Sequence, residues 1–369
     1  MSLTRTIETQ TIDSYMKTKS LLLALGATLL TGAATQAATP AVLVVTGGNA
    51  SKAVLYDRTT NALLSSVTIT ANVNTDIRTF VGTPNPTGPL ASSGLGPVTI
   101  HFVLNGAALG LQDLKAGNPV TTATGASLPP NFAVSGTLPD TIGIDPSVFT
   151  SQQTFVIPFG YVKNNNLANT LHGVTNLTQR QAVNLQDYSG LATTSLFGGE
   201  STTDTLYVIG RDPGAAVRRI IDANIYYSGS PTFYTTNAQG QPIVNPLGGH
   251  NAGNKVVADL KVIPNAIGTL GSADFNNAGF QILAYEGFLP TVYNVANGFY
   301  PIWGYEGWYT LLASPPGANQ QTILNALYST VTDTTYQHTA ANVFSNAGFV
   351  PLGDLHVSRA ADGGPITPL

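Results

Sequence analysis

The residues best suited to chemistry lie in one stretch, Gly210-Arg211-Asp212-Pro213-Gly214-Ala215-Ala216-Val217-Arg218. An arginine beside a glycine-containing turn can hold an anion if that turn opens a helix. The first N–H groups of a helix have no intrahelical acceptors and carry partial positive charge. The apolar run Leu206-Tyr207-Val208-Ile209 precedes the turn, and Val217, Ile220, Ile221 and Ile225 follow it with the spacing of one helix face, so the stretch predicts strand, tight turn, helix. The same pattern also fits an ordinary strand-to-helix loop carrying a surface arginine.

Other reactive groups are sparse. The five histidines, His101, His172, His250, His338 and His356, lie far apart without metal-ligand spacing. No Gly-x-Ser-x-Gly elbow occurs and no paired acids sit beside a base motif, so the chain does not read as an enzyme. No catalytic residue, metal ligand or cofactor is assigned. The absence of cysteine excludes disulfides, thiolate metal sites and a lipidated N-terminal cysteine.

The elements that must position the turn follow from the rest of the chain. Its 369 residues suffice for two lobes at roughly 100–200 residues per domain. Charged residues are only 9% of the sequence, against about 25% in ordinary soluble domains, so the surface is polar and nearly neutral. With a net charge of −4 and no basic cluster, nucleic acid is excluded as a partner. Residues 1–37 read as an upstream extension and an export signal: Lys17 and Lys19, an apolar run from Leu21 to Leu30, and small residues at Thr35 and Ala37 before a mature start near Ala38. The run is shorter than the ~20 residues of a spanning helix, so a periplasmic or secreted protein with no membrane span after cleavage is expected.

Strand, glycine turn and helix recur. Ala41 to Val45 leads into Thr46-Gly47-Gly48-Asn49-Ala50-Ser51-Lys52, and Val98 to Leu104 leads into Asn105-Gly106-Ala107-Ala108. Further strands are expected at 140–145, 155–162 and 265–270, with 117–138 mostly loop and 226–246 hairpin or loop. Helices are expected after Asn176-Leu177-Thr178, after the Gly248 to Asn254 turn and around Ile323, Leu324 and Leu327. His250 in that turn reads as a solvated loop residue, the aromatic cluster from Gly298 to Tyr309 as a core strand, and 352–369 as a polar tail extended over the surface.

Alternating strands and helices with glycine turns at strand ends indicate an α/β protein that binds at strand tips. The motif order resembles the phosphate-specific periplasmic binding proteins of ABC transporters from about Val42 to Pro351. Arg211-Asp212-Pro213-Gly214 is similar to the family's Arg-Asp-x-Gly-Ser-Gly-Thr, Pro264-Asn265-Ala266-Ile267-Gly268 to its Pro-Gly-Ala-Ile-Gly-Tyr, and Gly298-Phe299-Tyr300-Pro301 to its Gly-x-Tyr-Pro. The resemblance implies the type II periplasmic-binding-protein fold, with mixed sheets flanked by helices and two crossing hinge strands. It implies one lobe from 38–158 plus 271–351, a second from 159–270, and a ligand in the cleft between them.

Carried over residue by residue, the family's ligand hydroxyl in the first loop falls on Ser51 and its second-loop serine on Ala107. Its proton-accepting acid falls on Asp145 and its arginine on Arg211, and its Ser-Gly-Thr after Gly214 becomes Ala215-Ala216-Val217. Three hydroxyls are thus missing, at Ala107, Ala215 and Val217. Hydrogen bonds to charged groups contribute about 1.5–3 kcal/mol each, so the loss is on the order of 4–9 kcal/mol, or roughly three to six decades of affinity. The expectation is an exported solute-binding protein for a small oxyanion or other small solute, working with an ABC permease, in which tight phosphate binding is lost. The alternative is an extracellular structural or surface-interaction protein that reuses the fold.

Overall fold

A computed structural model describes residues 40–72, 76–165 and 170–369. The signal expected over 1–37 lies outside the described residues.

Eleven strands form one mixed sheet. In chain order they are β1 (Ala41–Gly47), β2 (Leu64–Ala71), β3 (Ile77–Pro84), β4 (Val98–Val103), β5 (Phe132–Ser135), β6 (Phe149–Asn164), β7 (Tyr207–Ile209), β8 (Ala266–Gly271), β9 (Phe280–Ile282), β10 (Trp303–Leu311) and β11 (Val350–Pro351). The spatial order is β7-β8-β6-β10-β5-β1-β4-β3-β2, with β9 and β11 also paired to β6. β1 runs parallel to β4 and β5, and β7 parallel to β8, as crossover helices require.

β6 is the spine. Its first part, through Pro158, pairs with β10, and from Phe159 to Lys163 it pairs with β8 instead. Its residues from Thr154 to Asn164 are all buried, which explains why Phe155 to Val162 reads as a continuous apolar run.

Helices follow the glycine turns. α1 (Lys52–Arg58) follows β1, α2 (Ala107–Ala116) follows β4, α3 (Gln179–Tyr188) precedes β7, α4 (Ala216–Asn224) follows β7, α5 (Gly253–Leu260) precedes β8, and α6 (Ala318–Val331) follows β10. α3 begins with a capping box: Thr178 Oγ1 accepts from Gln181 N–H while the Gln181 side chain accepts from Thr178 N–H, so two otherwise orphan donors are satisfied. α4 buries Val217, Ile220 and Ile221, the face that the spacing predicts.

Around β1 the core is aromatic. Tyr56, Phe80 and Phe102 pack with ring centroids 5.3–5.6 Å apart, and Phe132 meets Trp308 at 5.2 Å. Full burial of such side chains contributes about 1.5–3 kcal/mol each.

Three expectations are corrected. The stretch 117–138 holds the buried core strand β5, whose four residues are too few to show a period between Pro130 and Gly136. Residues 140–145 form a 3-10 turn over Asp140–Ile142, closed by Gly143 in the left-handed region, and not a strand. The tail is not merely laid over the surface, because Leu355, Val357 and Arg359 are buried in it.

Candidate functional site

Three glycine turns meet at the tips of β1, β4 and β7. Gly47 closes β1 at φ +130°, where an added Cβ would stand 1.9 Å from the Val134 carbonyl oxygen, so only glycine fits. Its carbonyl accepts from Gly106 N–H at 2.9 Å, and the Gly214 carbonyl accepts from Ala108 N–H at 3.1 Å. The start of α2 therefore touches both the β1 loop and the central turn. Ala107 is buried there, and Ala215 caps α4 with no side-chain hydrogen bond. Gly214 N–H donates to Asp212 Oδ1 at 2.8 Å, an Asx turn that presents the beginning of α4.

Arg211 stands at the end of β7 and is only 4% exposed. Its Nε donates to the His250 carbonyl and its Nη2 to the Asn251 carbonyl, both at 3.0 Å. Burial holds the guanidinium below its ordinary range, opposed by Asp212, Asp274 and Asp76. His250 is not a solvated loop residue: its Nε2 lies 2.7 Å from Asp259 Oδ2. Arg211 thus fastens the 250–251 turn to the β7 turn and is not left open toward solvent.

Beside it lies a cavity of about 160 Å³, whose lining includes Asn49, Lys52, Arg211, Asn254, Ser272 and Asp274. That is room for a few waters or one small solute, taking about 30 Å³ per water. Lys52 Nζ is paired with Asp76, which also accepts from Asn49 Nδ2 at 3.2 Å. Burial raises the Asp274 carboxyl, opposed by Lys52 and Arg211. The Ser272 Oγ is buried and has no hydrogen-bond partner among the described residues. Two cations, Lys52 and Arg211, and three acids, Asp76, Asp212 and Asp274, share this neighbourhood, so it carries no surplus of positive charge.

Ser51, at the N-cap of α1, is buried and donates to Glu306 Oε1 of β10. Glu306 is fully enclosed, burial pushes its carboxyl up to about 8 against the Ser51 hydrogen bond, and Oε2 has no partner among the described residues.

Ser51, Ala107, Arg211, Gly214 and Ala215 therefore fall in one region. Asp145 does not join them. It is exposed, caps the turn before β6 by accepting from Ser147 N–H at 2.9 Å, and that bond holds its carboxyl below the usual range. The nearby charge that acts on it is Lys115, in the last turn of α2, at the opposite end of that helix from Ala107.

Lys52, Ser272, Asp274 and Glu306 carry no motif in sequence. The available signal was Glu306 itself, a charge inside an aromatic run that otherwise reads as core. Among the described residues no group of three His, Asp or Glu side chains could hold a metal, and no helix is long and apolar enough to cross a membrane.

No family model matches the chain. It is 30% identical over 113 residues to the phosphate-binding protein PstS of Bacillus subtilis (strain 168), a match spanning 31% of this chain and about a third (34%) of that protein. Its fold is similar to that of a Clostridium perfringens protein described as a phosphate ABC-transporter substrate-binding protein and solved with bound phosphate. That similarity has a TM-score of 0.53 at 11% identity, over 84% of this chain and 99% of that one. An ABC-type phosphate transport receptor from Vibrio cholerae gives a TM-score of 0.50 at 14% identity, with the same two coverages. The chain has the two-lobe type II periplasmic-binding-protein fold and resembles the phosphate-specific, ABC-transporter-associated family.

Proposed function

We propose that this chain is an exported solute-binding protein that holds a small polar solute in the cavity beside Arg211 and presents it to an ABC permease, without tight binding of free phosphate. The carrying observation is the state of the cavity's cations. Lys52 is paired with Asp76, and Arg211 gives two donors to backbone carbonyls and stands among Asp212, Asp274 and Asp76, so both cations already face acids that a dianion would have to displace or oppose. The absence of hydroxyls at Ala107, Ala215 and Val217 supports the same reading. A neutral or zwitterionic solute suits a cavity whose two cations already stand among acids.

In this reading the lobes are 38–158 with 271–351, and 159–270. The change of partner along β6 between Pro158 and Phe159 supports the first boundary. Calorimetry with phosphate, sulfate and a panel of neutral and zwitterionic solutes tests the ligand. Absent or millimolar phosphate binding is expected, and submicromolar phosphate binding overturns it. Cell fractionation with N-terminal sequencing tests export, with a mature start near Ala38 expected.

A further inference from the structure

We infer that the outer edge of β2 is an interface that takes β2 of a second copy of this chain, in an antiparallel two-fold pair centred on Ile69. The inference is independent of the solute-binding reading above and uses none of its residues.

β2 is the last strand at one end of the sheet. On its inner side it pairs with β3, from Leu64 opposite Pro84 to Ala71 opposite Arg78. On its outer side, among the described residues, the backbone of Ser65 to Ala71 has no backbone partner. The other end of the sheet is closed. At β7, Val208 N–H donates to Ser189 Oγ at 2.9 Å, and the adjoining Leu206 donates to the Ala192 carbonyl at 2.9 Å and accepts from Gly190 N–H at 2.8 Å.

An open edge presents N–H and C=O groups that an added strand can pair, and charged side chains or proline usually blunt it. β2 carries neither. Leu64-Ser65-Ser66-Val67-Thr68-Ile69-Thr70-Ala71 is uncharged, and Val67 to Thr70 are all β-branched, which favours further strand pairing. A bulge bends the strand near its start, where Ser66 (φ +53°) and Val67 together oppose Gly82, and Thr68 to Ala71 beyond it keep regular register. Val67 packs on the core, and Ile69 stands opposite the fully buried Phe80, yet Ile69 itself is 46% exposed. The apolar face of the sheet thus runs out to the edge strand and is left half covered there. One further strand would continue both the ladder and that face.

The pattern of β2 fits its own copy. Antiparallel pairing about Ile69 sets Ile69 opposite Ile69, Val67 opposite Ala71 and Thr68 opposite Thr70. Apolar side chains then meet on the core face and threonines on the other. A strand paired with itself brings like groups together, so a charge near its centre would oppose the pairing, and β2 has none. The contact is isologous and closes at two copies.

The test is sedimentation equilibrium of the full mature chain over a wide range of concentration. A monomer–dimer equilibrium is expected, and a chain that stays monomeric throughout overturns the inference. Ile69→Lys sets two cations face to face at the two-fold and should weaken association at least about tenfold, and Ile69→Glu should do the same with two acids. Mixing the two variants should restore the dimer, because opposite charges then meet across the axis. Should Ile69→Lys not fold, Thr70→Lys, on the other face of the exposed strand, is read in its place. The chain has no cysteine, so Ile69→Cys gives a site-specific readout. A short thiol-to-thiol cross-linker should join two copies of it, whereas Leu191→Cys, 80% exposed at the closed end of the sheet, should stay unlinked. A dimer indifferent to Ile69→Lys overturns the inference. So does a dimer that both charged variants weaken and their mixture does not restore, which would assign the edge to a different extended segment.

Discussion

Ser51 and Glu306, 255 residues apart in the chain, are joined by a hydrogen bond in which the serine hydroxyl donates to Oε1 of the buried carboxyl. The pair ties the α1 start to β10, and burial pushes its carboxyl up to about 8 from the ordinary glutamate value of 4.5. A raised carboxyl pKa means that the folded chain keeps a proton which the unfolded chain has released. Stability from this group is therefore full below about pH 4.5 and falls as pH rises toward 8, by on the order of 4 kcal/mol. Glu306→Gln should abolish that part of the slope. Urea denaturation between pH 5 and 8.5 checks it, and equal slopes in parent and variant would refute it.

Arg211 is expected to be structural as well as ligand-facing. Removing its side chain in Arg211→Ala leaves the Asn251 carbonyl without its donor and the His250 carbonyl with only the Asp212 N–H, and should cost about 2 kcal/mol or more. Arg211→Lys keeps the charge but not the fork that reaches both carbonyls, so an intermediate loss is expected. Chemical denaturation of both variants decides the matter. A fully stable Arg211→Ala would show that the two bonds do not hold the turn.

Asp145 separates what a motif order can place from what it cannot. The glycine turns were legible because backbone geometry demands glycine at positions such as Gly47, and the helices after them because apolar spacing marks their buried faces. The acid was assigned by matching an order of residues, yet Asp145 serves a local turn by bonding Ser147 N–H. The acids that stand near Arg211 come from elsewhere: Asp76 from just before β3, and Asp274 from the turn after β8. Convergence of distant segments leaves no local pattern, and neither does a four-residue buried strand such as β5. Asp145→Asn should therefore leave calorimetric binding unchanged. Asp274→Asn should weaken by about tenfold the binding of whatever solute the panel recovers. The reverse ranking would return the site to Asp145.

The tail supplies the last test, because it grips two separate parts of the chain. Asp362 Oδ2 accepts from Thr137 Oγ1 at 2.7 Å, Leu138 N–H at 2.8 Å and Thr141 Oγ1 at 2.7 Å. Three residues earlier, Arg359 donates to Asn224 Oδ1 at 3.1 Å and to the Pro301 carbonyl, with its guanidinium 3.8 Å over the Trp303 ring. The loop after β5 and the end of α4 are thus held by one short segment. Asp362→Ala should cost on the order of 2 kcal/mol, less than three full charge-assisted bonds because desolvation of the partly buried carboxyl offsets part of their gain. Arg359→Ala should cost more, since it also loses the buried stacking on Trp303. Hydrogen exchange distinguishes the strap from a passive tail. In Asp362→Ala, amides of 137–141 should exchange faster while the centre of β6 stays protected; in Arg359→Ala the end of α4 should loosen as well. Unchanged exchange in both segments would mean that the tail rests on the fold without holding it.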